Sequence, residues 1–375
     1  MVDLALKMIL DDKARFAITV LGVGFAVALV LTQVGLFFGL LDNASVTIDR
    51  LDADLWVTAR NTPNVDFANP FPERYVQRVR SVPGVTRADN LIVWYAIVSL
   101  PSGAKEQVVY YGLENFPLWN FPWDVASGDP SDLRRGRYVM LDESAERRFG
   151  AFEAGDYREF LGRRLKIIGK TRGARSFTTS PIAFVDYGLA QALAPDELEK
   201  RTTFVIVKLD PNADPIAVAA EIRRRLPYND VYTKADWASA SQHYWIESTG
   251  LGLTIFLTVF LGALVGVVIV AQTLYASVAE HLSEFGTVKA LGGRNLDVYG
   301  IIAEQATFAG ALGYGVGFLF AQALGPVLEQ LDMRMIITPT VYVMVFVGTL
   351  ALCLAASALS FRKVASLDPA IVFRG

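Results

Sequence analysis

The sequence predicts a membrane protein with four apolar helices and one large α+β domain inserted between the first and second of them. Three observations predict it. Apolar residues make up 53% of the 375 and charged residues only 19%, against about 45–50% and about 25% in soluble domains. Four uncharged stretches, 16–41, 248–279, 305–328 and 335–361, are each long enough to cross a hydrocarbon layer about 30 Å thick. Charge is concentrated between the first two, where residues 42–247 hold 26 of the 35 Lys and Arg and all six Trp.

The elements follow in order. Residues 1–15 contain an amphipathic run in which Val2, Leu4, Ala5, Met8 and Ile9 share a face opposite Asp3, Lys7 and Asp11, the pattern of a helix lying in the membrane interface. The first span, 16–41, exceeds a signal-peptide core of about 7–15 residues and no A-x-A-like site ends it, so it reads as an uncleaved span. Tyr244 and Trp245 precede the second span, 248–279. Their amphipathic rings favour the headgroup layer and set the membrane boundary near 245–248. A loop at 280–297, a third span at 298–328, a short loop at 329–334, a fourth span at 335–361 and a tail at 362–375 complete the chain. Lys7, Lys13, Arg15, Lys289, Arg294, Arg362, Lys363 and Arg374 flank the spans on one side, against Arg334 alone in the short loop of the other. That asymmetry predicts cytoplasmic termini and a cytoplasmic 280–297 loop, with 42–247 outside.

Within 42–247 the periodicity is mixed. Helical patterns at 71–82 and 214–226, each stopped by proline, neighbour strand-like runs at 91–100 and 203–209. The two half-motifs predict one split βαβ domain. A second lobe at about 115–195 is predicted as an insertion into it, with strands at 138–141 and 165–169 and helices at 144–149 and 186–193.

Several chemistries are excluded. A net charge of −3 with no basic stripe argues against nucleic-acid binding. One cysteine, Cys353, and two histidines, His243 and His281, make neither an intrachain disulfide nor a zinc set. Gly169-Lys170-Thr171 ends like a phosphate loop, but position 164 is Arg and the nearest upstream glycine is Gly162, so the spacing fails. No G-x-S-x-G occurs, and acidic pairs such as Asp142 and Glu143 read as solvated surface. The chain is therefore expected to be no enzyme, with no catalytic, cofactor or metal residues of its own.

Small residues at Gly262 and Gly266 in the second span, and at Gly313 and Gly317 in the third, have the spacing that lets helices approach closely. Gly262 and Gly266 are candidates for packing against another helix or a second copy of the chain. Glu304 would be costly facing lipid. Between the second and third spans, Leu282, Phe285, Val288 and Leu291 recur at three-residue spacing and Gly292-Gly293 ends the run. This predicts a short helix with an apolar stripe, turned either to a cytoplasmic partner or onto the membrane.

That loop, SEFGTVKALGG at 283–293, resembles the loop motif of the MacB/FtsX/LolCE superfamily of ABC permeases, type VII. The closing SLDPAIVFR at 366–374 resembles the superfamily's final D-P-x-x-A-L-R, and the plan of one span, a large domain and three spans matches over the whole chain. Strings such as Ala53-Asp54-Leu55-Trp56, and Phe373, resemble the DevC-like branch. His281 and Ser283 depart from the family loop, which often carries Arg or Lys there.

The resemblance implies a homodimeric permease subunit in the bacterial inner membrane. A separate ABC ATPase would bind ATP and Mg and seat the loop through Glu284, Phe285, Val288, Lys289 and Leu291. It implies efflux of an amphiphilic or lipidic substrate, with a periplasmic adaptor and a TolC-like channel as partners. A lipoprotein-releasing or heme-type exporter and a non-transporting FtsX-like transmitter are the alternatives. Phe116, Trp119, Phe121 and Trp123, crowded in a Pro/Gly-rich stretch, are candidate adaptor contacts because aromatics anchor interfaces. Their alternative is the domain's own core.

Overall fold

A computed structural model describes residues 13–178, 180–290, 293–331 and 333–365. The interfacial segment 2–12, Leu291, the side chain of Lys289 and the closing motif at 366–374 lie outside the described residues. The chain forms two compact units. One holds the described residues up to Gly39 together with those from Leu251; the other is Leu40–Gly250.

Four helices of the first unit are long and apolar enough to cross a membrane: Lys13–Arg50, Leu251–Glu280, Asn295–Gln330 and, within Pro339–Ala365, the stretch Pro339–Ala358. Small residues set their packing. A Cβ on Gly317 of the third span would lie 2.5 Å from the carbonyl oxygen of Gly24 in the first. At Gly39 it would lie 1.8 Å from the carbonyl oxygen of Arg334, so the segment before the fourth span seats directly on the first-span backbone. Val23, Val27, Leu31, Val270, Leu274, Ile301, Ile302 and Cys353 fill the space between the helices.

The second unit is built on a sheet of ten strands. In chain order the strands are β1 (Leu55–Ala59), β2 (Phe71–Pro72), β3 (Val85–Ser99), β4 (Lys105–Leu113), β5 (Val125–Ser127), β6 (Tyr138–Asp142), β7 (Tyr157–Phe160), β8 (Arg163–Thr171), β9 (Ile182–Asp186), β10 (Arg201–Thr202), β11 (Phe204–Leu209) and β12 (Asn229–Thr233). The spatial order is β12-β1-β11-β3-β4-β9-β6-β8-β5, with β7 against β3 and β8 and with β2 and β10 paired separately. Strands β1, β3, β11 and β12, with helices Tyr75–Arg80 and Pro215–Arg225, make a split βαβ unit in which every neighbouring pair is antiparallel. Segment 115–195 is inserted between β4 and β10 in sequence, yet its strands extend the same sheet through the parallel β4–β9 pair.

Period-two alternation sorts the core. Leu55, Val57, Val205 and Val207 point to one face, under Val76, Val79 and Ile222 of the two helices. Their neighbours Trp56, Phe204 and Ile206 point to the other, under Trp237 of the helix Lys234–Ser248. Farther along the sheet, Tyr110, Ala183 and Val185 face Ala190 and Leu193 of the helix Tyr187–Leu193. That helix starts where Asp186 accepts a hydrogen bond from the Gly188 N–H.

Candidate coupling site

The loop between the second and third spans is a helix, Leu282–Ala290. It follows the second span almost without a break: the His281 N–H donates to the Ser277 carbonyl, and the Phe285 N–H to the His281 carbonyl, both at 3.1 Å. It ends where the Gly293 N–H donates to the Val288 carbonyl at 2.9 Å. A Cβ on Gly293 would stand 2.7 Å from that same oxygen, so the turn requires glycine. The third span then starts with the Arg294 N–H donating to the carboxylate of Asp297 at 2.8 Å.

The helix is oriented by its apolar side. Phe285 is 1% exposed and packs with Val278, Val298, Ile301 and Ile302, and Val288 packs on the same cluster. This corrects the expectation that Phe285 is an exposed anchor for another protein. A short connector between two spans buries its apolar stripe against their ends, because leaving it in water is costlier. The outward face carries Glu284 and Thr287. Glu284 accepts from, or lies paired with, His281 Nδ1 at 2.9 Å, and His281 is itself buried. Beside the loop, Arg15 at the start of the first span forks onto Glu280 at the end of the second, at 2.5 and 2.8 Å. Sequence reasoning missed this pair; two opposite charges just outside uncharged spans were its only signal. The loop helix is thus joined to the ends of the second and third spans by backbone and by packing, and the Arg15–Glu280 pair ties the first span to the second.

Gly262 and Gly266 face the first span of their own chain. Cβ atoms there would lie 3.2 Å from Leu29 and 3.2 Å from Ala26. The opposite side of the second span exposes Phe256, Phe260, Leu264 and Val268. Among the described residues, the buried polar side chains of the spans are Thr19, Gln305 and Ser357, with Asn43, Ser45 and Thr47 farther along the first helix, beyond residue 41. Glu304 has one carboxylate oxygen buried without a hydrogen bond.

In the second unit, Phe116, Trp119, Phe121 and Trp123 are 0–3% exposed. Trp123 and Phe121 sit edge-on to Phe184 at 4.8 and 5.0 Å. The Trp119 indole donates to Asp89 at 2.7 Å, with the Arg87 guanidinium 4.1 Å above its ring. These four aromatics are core, and the expectation that they contact an adaptor is corrected: they have almost no surface to offer. Two further readings change. Asp142 is fully buried, accepting from Ser144 N–H and Oγ and from Ala174 N–H, so it is no solvated surface residue. Trp245 is 5% exposed and stacked at 3.9 Å on Phe177, inside the domain and not a headgroup anchor.

Four helices long and apolar enough to cross a membrane, an α/β domain between the first and second, and a helical loop packed on the span ends define a multi-pass membrane protein. Comparison with known proteins carries this further. Residues 16–225 match the MacB-like periplasmic core domain and residues 256–369 match the FtsX-like permease C-terminal region. The chain belongs to this MacB/FtsX family of ABC transporter permeases. An uncharacterized ABC transporter permease of Mycobacterium tuberculosis is 25% identical over 97% of this chain and 96% of its own length. One from Methanocaldococcus jannaschii is 22% identical over 89% and 86%. The macrolide export ATP-binding/permease protein MacB of Psychrobacter arcticus is 23% identical over 95% of this chain and 56% of its own length. Among solved structures, the periplasmic region of MacB from Actinobacillus actinomycetemcomitans aligns over 50% of this chain and 92% of its own, at 12% identity and a TM-score of 0.40.

Proposed function

We propose that this permease is the membrane subunit of an export complex, driven by a separate ABC ATPase that docks on the loop helix. The supporting observation is that Phe285 and Val288 are packed into the ends of the second and third spans while Glu284 and Thr287 face outward. A partner that grips the outer face therefore pushes on the spans without gripping them. The work is delivered in the external domain, because the spans carry too few polar side chains to line a path for a hydrophilic cargo. The cargo is an amphiphile or lipid, passed on through a periplasmic adaptor and a TolC-like channel from the bacterial inner membrane. Two copies act together through the apolar face of the second span at Phe256, Phe260 and Leu264, exposed in the single chain. The relative named as a macrolide export protein joins ATP-binding and permease functions, which supports coupling of this permease to an ATPase.

The test is co-purification of the permease with its ATPase, combined with ATPase activity in nanodiscs. Glu284→Lys reverses the charge on the outer face. It should lower ATPase recovery at least tenfold while the permease elutes as before. Wild-type recovery and activity with Glu284→Lys and with Thr287→Trp would place the ATPase contact elsewhere.

A further inference from the structure

We propose that Asp66 is a proton-operated latch in the external domain: protonated, it lets the turn at 64–67 stay docked against the helix Lys234–Ser248; ionised, it releases that turn. The observation is a buried carboxylate that, among the described residues, has no ion pair and no hydrogen bond of full geometry. Asp66 is 2% exposed, and neither of its oxygens has a hydrogen-bond partner among the described residues. A buried ion without a partner is among the costliest arrangements a fold contains.

The turn is well formed around it. The Asn64 side-chain oxygen accepts from the N–H groups of Asp66 and Phe67 at 2.9 and 2.8 Å, which fixes the turn and carries Asp66 inward. Phe67 then lies against the helix, 5.6 Å from Trp245 and 6.2 Å from Tyr244, and 6.5 Å from Tyr95 of β3. On the inner face of the helix, Trp237, Ser241 and Trp245 are buried at four-residue spacing, and each has a polar atom without a partner. The Asn64 amide nitrogen and the Tyr95 hydroxyl are also unpartnered.

The titratable groups coupled to Asp66 are Tyr95 on β3 and Tyr111 on β4, both pushed further toward the neutral form by burial and then by the Asp66 charge. The Tyr111 hydroxyl is already bonded to Thr47 at 2.9 Å. On the helix, His243 and Glu247 pair with one another at 2.9 Å on the exposed side. In the segment carrying Phe177, Arg175 acts on Asp142. Burial accordingly pushes the Asp66 carboxyl up to about 7, while the backbone N–H of Phe177 pulls the other way without hydrogen-bonding geometry. An acid raised in the docked state holds a proton there that it loses when released. Docking is therefore strongest in acid and weakens by up to about tenfold per pH unit between about 4 and about 7, then levels off.

The experiment is hydrogen exchange of the full chain in nanodiscs, corrected for intrinsic rates, at a pH of about 5 and of about 7.5. Wild-type amides at 65–68 should lose at least tenfold in protection at the higher pH, while those of Pro215–Arg225 do not change. Asp66→Asn, neutral at both, should keep high protection throughout. An infrared band of a protonated carboxyl, present in the wild type at about pH 6 and missing in Asp66→Asn, reads the same proton without relying on exchange. Equal protection at both pH values in the wild type, the same pH dependence in Asp66→Asn, or no such band would each overturn the latch.

Discussion

Phe285→Ala separates an internal strut from an exposed docking anchor. Phe285 is 1% exposed among Val278, Val298, Ile301 and Ile302. Truncating a buried Phe removes its packing and leaves a cavity that the rigid span ends cannot fill, at a cost of about 3–5 kcal/mol. The cost falls on the permease alone, with no ATPase present. Heating the purified chain in detergent and following its monodisperse fraction should show a lowered midpoint for Phe285→Ala and a smaller loss for Phe285→Leu. Glu284→Ala, on the outer face, should change stability by no more than about 0.5 kcal/mol. A wild-type midpoint for Phe285→Ala, together with lost ATPase binding, would refute the packing argument and restore Phe285 as an exposed anchor.

Other predictions use the fact that all six Trp lie in 42–247, so tryptophan emission of the intact chain reports unfolding of the α/β domain. Trp123→Ala removes an edge-on contact to Phe184 and should destabilise that domain by about 3–5 kcal/mol in a urea titration. Asp142→Ala leaves the N–H groups of Ser144 and Ala174 without their acceptor; at about 1–3 kcal/mol per orphaned group, the loss should exceed about 2 kcal/mol. Gly317→Val forces a side chain onto the Gly24 carbonyl and should lower the thermal midpoint of the membrane unit, by an overpacking cost of about 1–3 kcal/mol or more, without shifting the tryptophan transition.

Much of the fold was legible because its signals are local. The spans announce themselves by uncharged length and β11 by a continuous apolar run, whereas the run at 91–100 marks only the later part of β3, whose first residues Val85–Asn90 are mostly polar. The split βαβ unit could be read from two proline-stopped helices beside strands. What sequence could not supply was direction. The stripe of Phe285 and Val288 has the same period whether it meets a partner or the ends of its own spans, and only packing decides. The aromatics at 116–123 look like anchors on a Pro/Gly-rich loop until Phe184, more than sixty residues later, arrives beneath them through the parallel β4–β9 pair. Asp142 reads as an ordinary surface acid because its burial comes from contacts remote in sequence, such as Ala174. The continuity of segment 115–195 with the sheet was hidden for the same reason: pairing partners carry no mark in the chain.

An ATPase gripping the outer face of the loop helix would move the spans through that helix's buried face. A photo-crosslinking amino acid placed at 287, in the membranes of the native host, tests it most directly. The account predicts a crosslink to an ABC ATPase subunit from position 287, identified by mass spectrometry, and none from position 285, whose side chain is enclosed by the spans. A crosslink to the ATPase from 285, or its absence from both 284 and 287 while the complex is intact, would contradict the account.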